Sequence, residues 1–466
     1  MLRFPPSLTT RVASPSDLPR KLTLFDGAAL LVGSVIGSGI FVVPSLIARR
    51  VPEPGLVIGI WLFSGLLVLC GALALAELGT MLPQSGGLYV YMREAYGSFW
   101  AFLYGWTIML VVIPGSVAAL TSAFLLYFKH FVPLGLGAEK IVGIVLLLGL
   151  ALVNARGVKL GARVQNVFTL LKVSGLVLLV VLALITQDGT AWHFKPVFPD
   201  RFTPGLLAGV GVAMISTLFA YDGWHFVGFV AGEMQDPART VPPSIFVGVA
   251  IVIAVYVSVN VAYIFVLGQA NIAASERVAA DTMSTLIGPA GATLITLAIL
   301  CSTFGAISAN ILAAPRVFFA MARDGTFFRR LADVHPRYET PANAIWALAG
   351  WAAVLTLTGG YEHLITMAMF ANWIFFTMVV LSVVVLRRKH PEWPRPYRAT
   401  GYPFTVFVFV VVSSAFVVNT LMESARSSLM GLGLLLLGVP VYMWSRRRSR
   451  DAVVTRSGAP GSDRLS

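Results

Sequence analysis

Long apolar runs separated by short polar connections fill the chain from Leu24 to about residue 445. About twelve can be read, at approximately 24–48, 56–81, 99–127, 140–155, 162–186, 205–232, 241–268, 285–322, 341–358, 361–386, 403–422 and 428–445. Runs of roughly 20 residues match a bilayer core about 30 Å thick, so each is predicted to be a membrane-spanning helix. The alternating segments of a membrane β-barrel are not seen in the pattern, and the predicted class is all-α integral membrane. The run at 285–322 is too long for a simple span and is expected to project into the cytoplasm. Two runs carry small, helix-breaking residues midway: Gly37-Ser38-Gly39-Ile40-Phe41 in the first and Phe219-Ala220-Tyr221-Asp222-Gly223-Trp224 in the sixth. In hydrocarbon an unpaired backbone group costs several kcal/mol, so irregular backbone survives there only beside protein or a wet cavity. Breaks at matching positions of two chain halves point to the binding site of a secondary transporter.

Composition agrees with this pattern. The 466 residues are 57% hydrophobic and 12% charged, with a mean hydropathy of +0.82, whereas soluble domains carry about 25% charged residues. A formal charge of +13 invites a nucleic-acid partner, but its placement argues against one. Of the 34 Lys and Arg residues, Arg49, Arg50, Lys129, Lys140, Lys195, Arg201, Arg277 and Arg426 fall in connections assigned to the outside, and Lys172 lies within a span. The other 25 fall on the inside, a positive-inside bias that puts both termini in the cytoplasm of a cell-membrane protein. The clusters Arg387-Arg388-Lys389 and Arg446-Arg447-Arg448 follow spans, where stop-transfer and anionic-lipid contact explain them. Cys70 and Cys301 lie in predicted spans and read as small apolar residues. Residues 1–23 hold Arg3, Arg11, Arg20 and Lys21 and no apolar core of a signal peptide, so the first span is expected to act as the insertion signal.

The expected organisation is an N-terminal tail (1–22), a transmembrane domain (23–445) and a Ser/Arg/Gly-rich tail (446–466) read as disordered. Because each set of five spans begins with a break, residues 23–187 and 204–388 are read as two repeats, with the helices at 403–445 peripheral.

At the first break, Gly37 and Gly39 each lower helix propensity by roughly 1 kcal/mol and let the backbone unwind. The freed N–H groups head a new half-helix whose positive end favours an anion, and Ser38 adds a hydroxyl. The second break frees carbonyls near Phe219 and Asp222, which suit an ammonium. A zwitterion with both groups on one carbon matches this pair of partial charges. Close helix packing through Gly33 and Gly37 is the competing explanation of the first motif, and the matched second break weighs against it.

Glu77, Lys172 and Asp222 are ionisable residues within spans, positions that read as functional by default. Lys172 lies about ten residues into its span, which disfavours snorkelling to an interface; its ammonium could stand where a sodium-coupled relative holds its ion, or serve proton coupling. Glu77 suits a structural ion pair or a headgroup contact, and Asp222 could bind a cation, orient the loop or cap a half-helix. Phe41, Phe219, Tyr221, Trp224 and Trp373 could line the cavity or merely pack, and Asn372 is a polar group at depth in need of a partner. His225 could titrate near neutrality, although a hydrogen-bonded structural histidine is the simpler reading. No phosphate-binding loop, metal-ligand spacing or catalytic constellation is present, so neither an enzyme nor a cofactor is expected.

These residues carry a resemblance. Gly33-Ser34-Val35-Ile36-Gly37-Ser38-Gly39-Ile40-Phe41 with Pro44 resembles the first-span motif of amino-acid–polyamine–organocation transporters. Phe219 to Trp224, with Gly232-Glu233-Met234 and Asp236-Pro237, is similar to the L-type amino-acid transporter group, and most of all to its bacterial serine/threonine exchangers. Pro83 to Tyr91, Gly161 to Lys172, and Ser302-Thr303-Phe304-Gly305 with Pro315-Arg316 extend the likeness over about residues 22–445. The resemblance implies a LeuT-like 5+5 inverted repeat with discontinuous helices 1 and 6. It implies a substrate site formed by Val35, Ile36, Gly37, Ser38, Gly39, Ile40, Phe219, Ala220, Tyr221, Asp222, Gly223, Asn372 and Trp373, with the carboxylate at Ser38 and Gly39 and the amine at carbonyls of Val35, Phe219 and Asp222. Phe219 matches the gate over bound substrate and Lys172 the lysine that replaces a sodium ion. His225 departs from the asparagine or aliphatic residue expected there, and the connection Lys129 to Lys140 lacks the cysteine that binds a heavy chain in animal members, so no such partner is expected. The expectation is therefore exchange of small or medium neutral L-amino acids across the plasma membrane. A proton-coupled amino-acid or polyamine symporter is the alternative, and a membrane amino-acid sensor a more distant one.

Overall fold

In a computed structural model, which describes residues 18–185, 189–358, 361–423 and 425–457, every apolar run contains a helix and no β-strand forms among the described residues. The first run is two helices, α1 (Leu24–Val35) and α2 (Gly39–Ala48), bent by 42° at the break. Then come α3 (Pro54–Met81), the short α4 (Leu88–Tyr96), α5 (Ser98–Thr107) and α6 (Ile113–Phe128), α7 (Leu136–Ala155) and α8 (Val158–Ile185). The sixth run is α9 (Pro204–Ala220) and α10 (Phe226–Val230), so the second predicted break is present as well. Beyond it lie α11 (Pro237–Ala274), α12 (Val278–Ile287), α13 (Pro289–Ala313), α14 (Pro315–Arg323), α15 (Ala342–Thr358), α16 (Tyr361–Lys389), α17 (Phe404–Glu423) and α18 (Ala425–Ser457). Among the described residues eight helical stretches are long and apolar enough to cross a membrane, with α5–α6 (Ser98–Phe128) and α13–α14 (Pro289–Arg323) each counted as one, and the bent α1–α2 pair makes nine.

The overlong run at 285–322 resolves into separate pieces. Gly288, at φ +68°, a backbone conformation that favours glycine, ends α12 before α13 starts, and Pro315 opens α14. Residues 446–457, read as tail, continue α18, whereas residues 1–17 and 458–466 of the predicted tails lie outside the described residues. Large apolar side chains such as Leu126, Leu184 and Leu437 point outward, as a lipid-facing surface requires.

Local sequence explains several junctions. Thr23 and Asp26 form a capping box that starts α1. Pro114 has no N–H for the carbonyl of Leu110 four residues earlier, and the indole of Trp351 donates to that oxygen at 2.9 Å instead. The turn just before it, Ile108–Val112, is π-helical.

One end of the bundle is tied by ion pairs. Lys159 and Asn166 donate to Asp26 at 2.9 and 2.8 Å. Arg316 and Glu233 form a buried two-point pair at 2.7 and 2.9 Å, and Arg93 grips Asp324 at 2.7 and 2.8 Å. Glu77, fully buried, accepts from Arg387 at 2.9 and 2.6 Å and from the Ala399 amide at 2.7 Å, which makes it a structural anchor between α3 and α16.

Candidate functional site

The two breaks meet at the centre of the bundle. Gly39 and Ala220 approach so closely that a Cβ on Gly39 would lie 2.8 Å from the Ala220 methyl. Gly223, at φ +106°, lies against Ser34, whose hydroxyl is 3.0 Å from the Gly223 carbonyl. The hydroxyl of Tyr256 on α11 lies 2.9 Å from the carbonyls of both Val35 and Ala220, tying one half-helix end to the other.

Behind the first break lies Lys172 of α8, completely buried. Its ammonium donates to the carbonyls of Gly33 (2.9 Å), Ile36 (2.7 Å) and Ser302 (3.0 Å). The Ser302 hydroxyl adds contacts to Ile36 O at 2.9 Å and Gly37 O at 3.0 Å. Carbonyls that unwinding strips of helical partners are thus met by one cation and one hydroxyl, the satisfaction that hydrocarbon depth demands.

In front of the breaks is a cavity of about 90 Å³. At about 10–15 Å³ per water position, it has room for a handful of non-hydrogen atoms. Its wall includes Val35, Gly37, Ser38 and Gly39 from the first break and Phe219, Ala220, Asp222 and Gly223 from the second. The helix α2 starts at this wall without a side-chain cap, so its first-turn N–H groups are available to an anion. Phe219 lines the cavity and is 40% exposed.

Several expected residues are elsewhere. The side chains of Ile36 and Ile40 are fully buried in the core, and only their backbone belongs to the break. Tyr221 is turned into the interior, where it donates to the Trp61 carbonyl at 3.1 Å and packs on Tyr256. Trp373 stacks on Phe409 and Phe416, and Asn372, buried with both amide atoms unpartnered, does not reach the cavity wall. The wall instead takes Ser34, Ile113, Ser116, Ala119, Leu120, Phe226 and Asn310, which were not singled out in advance. Ser116 follows Pro114-Gly115, a small-residue signal within a span that could have marked that wall. No cluster of side chains able to hold a metal ion occurs among the described residues.

A family model for amino acid permeases matches residues 22–439, nearly the whole chain. The chain belongs to the amino acid permease family. It is 31% identical over 436 residues to the serine/threonine exchanger SteT of Bacillus subtilis, covering 93% of this chain and 98% of that protein. It is 31% identical over 432 residues to human large neutral amino acids transporter small subunit 2, covering 91% and 80%. To the human b(0,+)-type amino acid transporter 1 the identity is 30% over 420 residues, covering 88% and 84%. This permease is accordingly a multi-pass membrane protein of amino-acid transport and not an enzyme. Cys70 and Cys301 are both free thiols.

Proposed function

We propose that this permease exchanges small or medium neutral L-amino acids across the cell membrane by alternating access. The observation that carries the reading is the cavity between the breaks, bounded by the uncapped start of α2 and the carbonyl end of α9. Opposite partial charges a few ångströms apart fit a carboxylate and an amine on one carbon. In this reading the carboxylate meets Ser38 and the N–H groups of Gly39 and Ile40. The amine meets carbonyls of Val35, Phe219 and Asp222, and Phe219 swings in as the gate. The cavity volume favours small substrates over large ones. Lys172 replaces a coupling sodium by holding the unwound carbonyls permanently.

The architecture we assign is twelve spans in a 5+5 inverted repeat with α17 and α18 outside it. Packing partners support it: α1 and α2 touch α10 and α9, α3 packs on α11, α6 on α13, and α7 on α15, each span against the one five later. We assign both termini to the cytoplasm, a reading supported by the positive-inside bias of the sequence, and no heavy-chain partner is invoked.

Substituting Ser38→Leu tests the site. The bulkier apolar side chain fills the carboxylate subsite, and uptake of labelled amino acid into proteoliposomes is expected to be lost while membrane insertion persists. Wild-type uptake by the variant would remove the assignment.

A further inference from the structure

A second hollow, of about 210 Å³, opens where α8 and α13 meet on the lipid-facing surface, and it is more than twice as large as the substrate cavity. The two helices run antiparallel there, for Lys172 reaches the Ser302 carbonyl and, a turn along, Gly175 meets Ala298. A Cβ on Gly175 would lie 2.8 Å from the Ala298 methyl, so only glycine lets the helices come this close, and their contact forms the floor of a groove. Leu171 and Leu178 stand on one side of it and Leu294, Leu297 and Cys301 on the other, each wall running about 10 Å along its helix. Met283 of α12, whose backbone lies against Gly291, closes the Leu294 end. The four leucines are 43–50% exposed, which makes them the rim.

Depth and chemistry identify what fills this groove. Leu171 precedes Lys172 and Cys301 precedes Ser302, so one end stands level with the carbonyl cage at the centre of the bundle. From there the groove runs away from the end tied by Asp26–Lys159 and Glu233–Arg316, within the hydrocarbon of a single leaflet. An ordered water needs two to four polar partners. The lining side chains offer one thiol, and the backbone of α8 and α13 is committed to its own helix ladders. An empty groove would forfeit the contacts that close-packed walls otherwise make. The surface on which it opens is the one already covered by lipid tails. We propose that this groove binds an acyl chain of a phospholipid from that leaflet, and that the bound chain braces the α8–α13 seam carrying the Lys172 cage.

The chain gains nothing from the hydrophobic effect, because hydrocarbon surrounds it in the groove and outside it alike; van der Waals packing decides. A tail lying on a convex helix touches protein on one side. In the groove it touches two leucine walls and the small-residue floor, and this extra contact selects the groove over the rest of the surface. The bracing follows from shared walls. The separation of α8 and α13 that sets the Gly175–Ala298 contact also holds the Lys172 ammonium 3.0 Å from the Ser302 carbonyl. A chain gripping both walls resists rotation of either helix about that contact. The groove itself is independent of the transport reading, and only the seam ties it to the substrate site.

The test uses purified full-length protein in nanodiscs of palmitoyl-oleoyl phosphatidylcholine, doped with the same lipid bearing a diazirine midway along one chain. After irradiation, peptide mass spectrometry is expected to find adducts on residues 171–178 and 294–301 at about fivefold or more the yield on α17, where Phe407, Val411 and Val418 face lipid without a groove. Leu297→Trp, whose ring fills the groove from its rim, should reduce that yield to the α17 level, and Leu178→Trp should do the same from the opposite wall. Leu297→Ala, which widens the mouth, should keep it. Even labelling of the three helices, the mark of annular contact only, would overturn the proposal, as would undiminished labelling in both tryptophan variants. In detergent, added phosphatidylcholine is expected to raise the melting temperature of the wild type more than that of Leu297→Trp. An equal rise in both would overturn the bracing of the seam.

Discussion

Replacing Lys172 with methionine keeps an unbranched side chain and deletes the cation. In the wild type three carbonyls share the ammonium, those of Gly33, Ile36 and Ser302, at 2.7 to 3.0 Å. Ile36 O would keep the Ser302 hydroxyl at 2.9 Å, and Ser302 lies inside α13, where its carbonyl stays in the helix ladder, so Gly33 O is the acceptor left without a donor. A buried acceptor stripped of its donor costs about 1–3 kcal/mol, and removing a desolvated ammonium returns part of that. The net penalty on the ordered break is then about 1–2 kcal/mol. At 1.4 kcal/mol per decade this corresponds to a loss of roughly 5- to 30-fold in substrate affinity, with binding requiring the break in its present form. The assay is labelled amino-acid exchange in proteoliposomes, with substrate affinity taken from competition and insertion checked separately. Ser302→Ala should cost less, because it removes one hydroxyl that shares Ile36 O with the ammonium. That shared acceptor predicts a coupling energy above about 0.5 kcal/mol in the double mutant. Exchange by Lys172→Met within twofold of wild type, or strict additivity with Ser302→Ala, would refute the role assigned to this cage.

Two further substitutions probe the packing of the breaks. Gly39→Val places a Cβ 2.8 Å from the Ala220 methyl and 3.0 Å from its Cα, so the half-helices must part and binding should be lost; Gly39→Ala combined with Ala220→Gly should recover part of the uptake that Gly39→Ala alone removes, and no recovery would mean the contact is not what matters. Arg316→Met strands the fully buried Glu233 carboxylate, a change worth about 3–5 kcal/mol, which denaturant unfolding in detergent should register as a clear loss of stability.

The breaks could be read from sequence because glycine and polar residues at hydrocarbon depth carry an energetic cost that only a special local structure relieves. The helix interruptions at Gly37 and Tyr221 follow from that cost alone. Which side chains face the cavity could not be read, since unwinding replaces the 3.6-residue period that assigns faces. Tyr221 illustrates this: adjacent to Asp222 in the chain, it is rotated by the turn onto Trp61 and Tyr256 rather than into the cavity. Asn310, Ser116 and Leu120 reach the wall from distant helices, and residues of those types are unremarkable in any span. The tie made by Tyr256 was hidden for a related reason, because its two acceptors are 36 and 221 residues away.

Under the proposed alternating access, the ion pairs set the order in which one end of the bundle opens. Phe219 stands partly exposed at one mouth, while the opposite end is joined by Asp26–Lys159, Glu233–Arg316 and Lys21–Glu339. These links are unequal. Lys21 and Glu339 are each nearly half exposed, and such a pair is worth about 0–1 kcal/mol. Asp26 is mostly buried but its lysine is 39% exposed, so water can replace one partner as the other leaves. Glu233 and Arg316 have no exposure to speak of, and separating them dry would leave two uncompensated charges. The end must therefore open from its rim inward, with water following the first two separations before the third can occur. Leu22 makes this order mechanical: its amide donates to the Glu233 carbonyl at 2.9 Å and its carbonyl accepts from Gln235 at 2.8 Å, so α1 cannot swing out without first releasing the segment that carries Glu233.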